Sequence, residues 1–368
     1  MSRSSTAFLP ELSPGSRLLV LRLRSLGDAL LLTPALRALK QWRPDLRLTV
    51  ALYPRFASIL AGNPDVDEVI VVDPAGAGGA LRVMKAVSEI RRRQFAGCFN
   101  LHGGTLSALL TALSGASHGV GFRRFRYGFV YNCTADPPAL FGRDRLHAVE
   151  NQIAAFYAAG LPQGEIPPLQ LFPQPEARRS VTQKLAARGV RAGARYALLH
   201  PAANFFTKEW PFERYAALAR HLEDQHGLAP VFTCGPDEGA KLDAVARAFG
   251  KPLVRLDPLT VAELVAAVEG AALFVGNDSG PTHIAAALNR PTVVLFGSSD
   301  ANAWSPWRAA HALVQNYYPC NPCRGDRCYA FAQPECILSI TLEQVQAAVE
   351  RALAPHPAGR AAVRSAVS

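Results

Sequence analysis

Apolar positions along the chain fall into two alternating kinds of run. Short continuous apolar stretches bounded by Gly, Pro, Asp or Asn read as strands buried on both faces. Arg17 to Leu23, Leu48 to Leu52, Glu68 to Val72 and Cys98 to Leu101 are of this kind. Between them apolar residues recur at helical spacing. Leu36, Leu39 and Trp42 share one face, with Pro34 as a first turn or a kink, and Ala80 to Arg92 is a second helical stretch. Strand–helix alternation predicts a parallel sheet with helices on both faces. It restarts with Tyr196 to His200, Ala229 to Thr233, Leu253 to Arg255, Ala272 to Val275 and Thr292 to Phe296. Residues 161–175 (LPQGEIPPLQLFPQP) are Pro-rich, hold one acid and no base, and read as a linker. The pattern predicts an α/β chain of two Rossmann-like domains, 1–170 and 176–345, facing a central cleft. A last helix, Leu342 to Leu353, is placed to return to the first half, and 355–368 reads as a flexible tail. No repeat of 20–50 residues is visible.

Length and composition agree with this. The 368 residues suffice for about two domains of roughly 150 each. An apolar content of 49% can bury a sizeable core. No apolar run reaches the length of a membrane span, and residues 1–16 lack the apolar region of a signal peptide, so the chain is expected in the cytoplasm. Seven cysteines, an odd count, fit a reducing compartment. The net charge is +10; residues 1–175 hold 19 basic and 12 acidic residues, so most of the excess sits in the first half. Such a surface suits phosphates, anionic lipid or nucleic acid, and charge alone does not choose among them.

Three stretches carry candidate chemistry. Ser25-Leu26-Gly27-Asp28 follows the first strand, at the sheet edge where open α/β folds bind ligands. Asp28 there is either a general base or a helix cap, and Arg22 and Arg24 are near in sequence. No GxGxxG follows this strand, which argues against a nicotinamide dehydrogenase. His200-Pro201-Ala202-Ala203-Asn204 leads into Thr207-Lys208-Glu209-Trp210-Pro211, where Lys208 is a point charge for a phosphate or a solvated lysine beside a packing Trp. In Cys234-Gly235-Pro236-Asp237-Glu238 the acids are placed to bond a ribose hydroxyl or to cap the next helix. Gly276-Asn277-Asp278-Ser279-Gly280 closes a strand and opens a short helix. Ser279 is a natural cap, Pro281 suits the first turn, and free N–H groups at such a start attract anions. Asp278 and His283 sit where a ligand would be.

Taken together these motifs resemble the bacterial heptosyltransferase family, glycosyltransferases that add heptose to the lipopolysaccharide core. The pattern is Ser-Leu-Gly-Asp with Thr33-Pro34-Ala35-Leu36 behind it, then Lys208-x-Trp210-Pro211, then Asp278-Ser279-Gly280-x-x-His283 with Pro291 and Phe296-Gly297, and it spans roughly residues 17–345. One departure is Asn100-Leu101-His102, where many members have Asp before the Leu. The resemblance implies the two-Rossmann GT-B fold, ADP-heptose as donor, inversion at the anomeric carbon and a phosphorylated glycolipid acceptor. It implies acceptor binding by the first half, at the inner face of the inner membrane, and donor binding by the second. Asp28 is then the base. Asn204, Lys208, Asp278, Ser279, Gly280 and His283 hold the donor and its diphosphate, and Asp237 the nucleoside. No cofactor and no catalytic metal are expected: the one Asp-x-Asp, Asp65-Val66-Asp67, lies in the first half and outside the donor motifs, so Lys208 and the helix start near 280 supply the positive charge at the leaving diphosphate. Gly121-Phe122-Arg123-Arg124-Phe125-Arg126-Tyr127 alternates Arg with aromatics. Arg123, Arg124 and Arg126 suit acceptor phosphates better than nucleic acid, with a solvated basic loop as the plainer reading.

Cys320-x2-Cys323-x4-Cys328-x7-Cys336 matches no usual zinc ribbon, so free or packed structural thiols are expected before a structural metal. Rival functions are another nucleotide sugar, an epimerase on the same fold, a non-catalytic two-lobed sugar-binding protein and, on charge alone, a nucleic-acid binder.

Overall fold

The computed structural model describes residues 7–354. The tail expected at 355–368 lies outside them. The chain divides between Phe172 and Pro173 into two compact units, each built on a six-stranded parallel sheet.

The first unit holds β1 (Arg17–Leu21), β2 (Arg47–Leu52), β3 (Glu68–Val71), β4 (Gly97–Asn100), β5 (His118–Phe122) and β6 (Cys133–Ala135), in the order β3-β2-β1-β4-β5-β6. Its central strands are apolar and buried from end to end after their first residue, as a sheet covered on both faces requires. Helix Thr33–Trp42 buries Leu36 and Leu39 and carries Pro34 in its first turn, where the missing N–H costs nothing. Helix Gly79–Arg92 puts Val83, Val87 and Ile90 into the core beneath β1, β3 and β4. The segment 161–174 has no helix or strand, yet it is not a loose linker. Ile166 and Leu169 are buried, and the Gln170 N–H donates to Thr33 Oγ1 (3.0 Å).

The second unit repeats the winding. Its strands are β7 (Tyr196–His200), β8 (Ala229–Phe232), β9 (Val254–Arg255), β10 (Leu273–Asn277), β11 (Thr292–Phe296) and β12 (Ala312–Gln315), in the order β12-β11-β10-β7-β8-β9. Counted from each unit's own first strand, both orders are 3-2-1-4-5-6, the dinucleotide-fold order, so each has its switch point between strands 1 and 4. The last helix, Leu342–Leu353, does not return to the first half. Its apolar stripe, Val345, Ala348, Val349 and Ala352, is buried in the core of the second unit with Leu295 and Val314.

Candidate active site

In a parallel sheet all carboxyl ends lie on one edge. At that edge of the first unit the loops after β1, β4 and β5 come together. Asp28 opens the short helix Leu26–Leu30 after β1. One carboxylate oxygen accepts from the Ser25 N–H (3.3 Å) and the Ser25 hydroxyl (3.0 Å); the other pairs with the Arg22 guanidinium. Arg22 is held in turn by the Leu101 carbonyl (2.6 Å), and Gln152 donates to the Asp28 carbonyl (3.2 Å). Asp28 therefore does cap its helix, and its side chain is still 20% exposed. The loop after β4 is shaped by Asn100. Its amide oxygen accepts from the His102 and Gly103 N–H groups (3.0 and 3.1 Å), and its amide nitrogen donates to the Tyr131 hydroxyl (2.8 Å). The two backbone bonds are ones a carboxylate would accept equally, so an Asn in place of Asp keeps the loop and adds a donor for Tyr131.

His102, which the sequence showed only as a neighbour of Asn100, stands beside this group. Its Nδ1 is buried without a hydrogen-bond partner. Burial, then the positive fields of Arg22 and Arg24, push its pKa below the ordinary 6.5 against the opposing pull of Asp28. It is a neutral imidazole close to the candidate base.

The Arg-aromatic loop follows β5. Phe125 packs edge-on to Phe122 and near Tyr131, and it covers Gly103 so closely that a Cβ at that residue would strike its ring. Gly103 also has φ +74°, so glycine is needed there twice over. Arg124 lies over the Phe122 ring and Arg126 over Tyr127, while Arg123 is 76% exposed and 3.4 Å from Asp136. The aromatic residues anchor the loop and leave its three guanidinium groups outward.

In the second unit the loops after β7 and β10, neighbours at the switch point, are joined by Asn277. This buried side chain accepts from the Trp210 N–H (3.3 Å) and the Tyr215 hydroxyl (3.1 Å), and donates to the Pro201 carbonyl (2.8 Å). Trp210 is fully buried, its indole N–H on the Ile340 carbonyl (2.8 Å). The Trp is thus a packing anchor for the turn 206–208, and Lys208 reaches out of that turn to Asp278 (Nζ–Oδ2 2.8 Å). Next along the chain, Ser279 is the N-cap residue of helix Gly280–Ala287. Its hydroxyl makes no cap bond and is buried without a partner. Thr282 Oγ1 donates back to the Asn277 carbonyl (2.9 Å), and His283 is buried in the first turn. The fold brings Lys208, Asp278, Ser279, Gly280 and His283 to one strand-to-helix turn. It puts Asn204 on an exposed part of the neighbouring loop.

Gly297 follows β11. A Cβ there would collide with the Thr207 carbonyl and Ile337, so the Lys208 turn can approach this strand end only over a glycine. After β8 the acid with partners is Glu238, not Asp237, which is exposed. Glu238 accepts from the Gly235 N–H (2.9 Å) and pairs with Lys241 (2.7 Å); Lys241 also pairs with Glu209 (2.6 Å) and donates to the Ala203 carbonyl (3.0 Å). Glu209 accepts from the Ala203 N–H (2.9 Å). Burial holds the pKa of His200 down, partly countered by Glu238, so it stays neutral beside this clamp. The clamp is not legible in the sequence, because it ties the loop after β7 to the loop after β8.

The four late cysteines are all free thiols, and they line one cavity with Thr207 and Ser298. Burial, then the proximity of Cys320, Cys323 and Cys328, pushes the Cys336 thiol up to about 11. No helix among the described residues is long and apolar enough to cross a membrane.

This geometry has known counterparts. A solved glycosyl transferase family 9 structure from Veillonella parvula superposes with a TM-score of 0.81 at 22% identity, over 93% of this chain and 98% of that one. Escherichia coli ADP-heptose lps heptosyltransferase II follows at 0.69 and 22%, over 90% and 98%. These likenesses show the fold, which is of the GT-B class. Lipopolysaccharide heptosyltransferase 3 of Escherichia coli K12 is 29% identical over 290 residues, 76% of this chain and 82% of that protein. Lipopolysaccharide heptosyltransferase 2 of the same strain is 29% identical over 310 residues, 79% and 85%. The model of glycosyltransferase family 9 (heptosyltransferase) matches residues 83–331, which include the β4 loop, the Arg-aromatic loop and both switch-point loops of the second unit. With that match over more than half its length, the chain is a glycosyltransferase and belongs to family 9, the heptosyltransferases.

Proposed function

We propose that this glycosyltransferase moves heptose from ADP-heptose to a lipopolysaccharide core or lipid A-linked acceptor, with inversion at the anomeric carbon. The names of its relatives favour this donor and acceptor. The observation that carries the reading is the Lys208–Asp278 pair beside the unbonded Ser279 hydroxyl at the start of helix Gly280–Ala287. A helix start offers free N–H groups and a positive dipole end, and Lys208 adds an ammonium that its ion pair with Asp278 holds in place. Donors fixed where the leaving diphosphate gains charge lower the barrier without reorganising, and this assignment needs no catalytic metal. Asn204 and His283 line the same donor site, and Asp237 takes the nucleoside.

Acceptor binding falls to the first unit. Arg123, Arg124 and Arg126 meet acceptor phosphates, and Asp28 takes the proton of the attacking hydroxyl. Arg22 and Ser25 fix the carboxylate, and the neutral His102 does not compete for its charge. The acceptor places the enzyme at the inner face of the inner membrane as a peripheral protein, with no role for nucleic acid.

The test is turnover of ADP-heptose with a heptose-free lipid A-linked acceptor, read as ADP release and as a mass gain of one heptose. Loss of signal with UDP- or GDP-sugars is expected. Turnover of one of those sugars but not of ADP-heptose, or thermal stabilisation by UDP or GDP but not ADP, would sink the assignment.

A further inference from the structure

We propose that Cys320, Cys323, Cys328 and Cys336 bind one structural metal ion of the zinc or iron class through four thiolates. The site lies outside the donor and acceptor machinery and does not depend on the function proposed above.

Residues 316–334 contain no helix or strand. A structureless run of that length inside a compact domain needs a source of order, since each fixed residue costs about 1–2 kcal/mol of backbone entropy. Apolar burial supplies little of it: Tyr317, Tyr329 and Phe331 are exposed, and no disulfide closes the loop. What the loop does share is a centre. All four cysteines, spread over 17 residues, line one cavity of about 20 Å³. That is room for a single water-sized occupant, the size of one ion.

Soft thiolates in fours select tetrahedral zinc or iron. The donors are not pre-closed. Among the described residues the three-donor group within 4.8 Å is His221, His226 and Glu350, so the cysteines must turn inward on the ion. Such sites rarely stand preformed without their metal. On binding, four S–H bonds break, four protons pass to solvent and four sulfur–metal bonds form, with no change of oxidation state. A divalent ion with four thiolates carries −2. Arg327, which lines the cavity, and Arg324 in the same loop offset that charge.

The loop is also joined to its neighbours. Thr207 Oγ1 meets the Gly325 carbonyl and lies 3.1 Å from Ser298 Oγ; the Cys323 N–H donates to the Ser298 carbonyl (3.0 Å), and Asn321 to the Gly297 carbonyl (2.9 Å). An ordered loop therefore braces the turn that carries Lys208.

The experiment is elemental analysis of the full chain, purified reduced and without a metal-affinity column. About one zinc or one iron per chain is expected, falling to near zero in the C320S/C323S double variant. Stripped wild-type protein titrated with zinc near neutral pH should release about four protons, which decides the matter if the variant fails to fold. Zinc as the bound ion names one source, iron without sulfide the other. Several irons with matching acid-labile sulfide would overturn the single-ion site. No bound ion after reconstitution with both metals, or unchanged content in the variant, would overturn the metal altogether.

Discussion

The cap observed at Asp28 and the base proposed there fall on one carboxylate. It caps helix Leu26–Leu30 and pairs with Arg22 while one fifth of its side chain stays open to solvent. The two roles separate in Asp28→Asn. As the base, its loss lowers kcat by about 10²–10⁴-fold with ADP affinity unchanged. As a cap alone, it costs about 1 kcal/mol of stability and leaves turnover near normal. Melting temperature and kcat on one purified variant tell them apart, and we expect the first pattern. Lys208→Ala should raise the donor KM and lower kcat together, because charge on the leaving diphosphate grows toward the transition state. Steady-state kinetics indistinguishable from wild type would remove Lys208 from the site. The sequence marked both residues, since their loops are short and their neighbours in the chain carry the motif. It did not mark the roles of Asn277 and His102 or the tie from Lys241 to Glu209, because these depend on loops far apart in the chain.

Elements with strong local signals were legible, and those without were not. Strands such as Arg17–Leu21 and Thr292–Phe296 are unbroken apolar runs. β5 reads HGVGF, two glycines in five residues, and β6 has three residues, so neither shows a run to detect. β12 is likewise short and half-buried. Helix Val261–Gly270 shows how one residue ties an element down. Thr260 and Glu263 form a capping box, and Glu263 also takes Ser180 and Lys184 (both 2.6 Å) from helix Pro175–Ala187. Burial raises the Glu263 pKa, but the bonds from Lys184, Ser180 and Thr260 outweigh it and bring the group to about 2, against an ordinary 4.5. A depressed folded value stabilises above the unfolded pKa. The contribution is therefore whole above about 4.5 and fades as pH falls toward 2. Glu263→Gln should be less stable than wild type at neutral pH and should lose less on acidification through that window. Parallel urea midpoints at several pH values check this; curves that keep a constant gap would refute it.

Across the whole molecule, charge and topology set the remaining expectations. Replacing Arg123, Arg124 and Arg126 together should weaken acceptor use and flatten its dependence on salt, because exposed guanidinium groups act through a field that ions screen within about 10 Å at 0.1 M. Thermal stabilisation by ADP should survive, since the loop and the Lys208 turn belong to different units. Loss of ADP stabilisation would move the loop out of the acceptor role. The shared strand order also bears on how the chain reaches its fold. Every pairing in both sheets is parallel, so no hairpin closes early. The central pairs join positions 18 with 97 and 197 with 273. Contacts so distant along the chain make folding slow and leave apolar strands uncovered meanwhile. During synthesis the first sheet has all its strands once Ala135 has emerged, whereas the second cannot close its middle until β10 appears. A ribosome pausing between those points would hold one finished unit and one adhesive half, the stage at which a chaperone matters most.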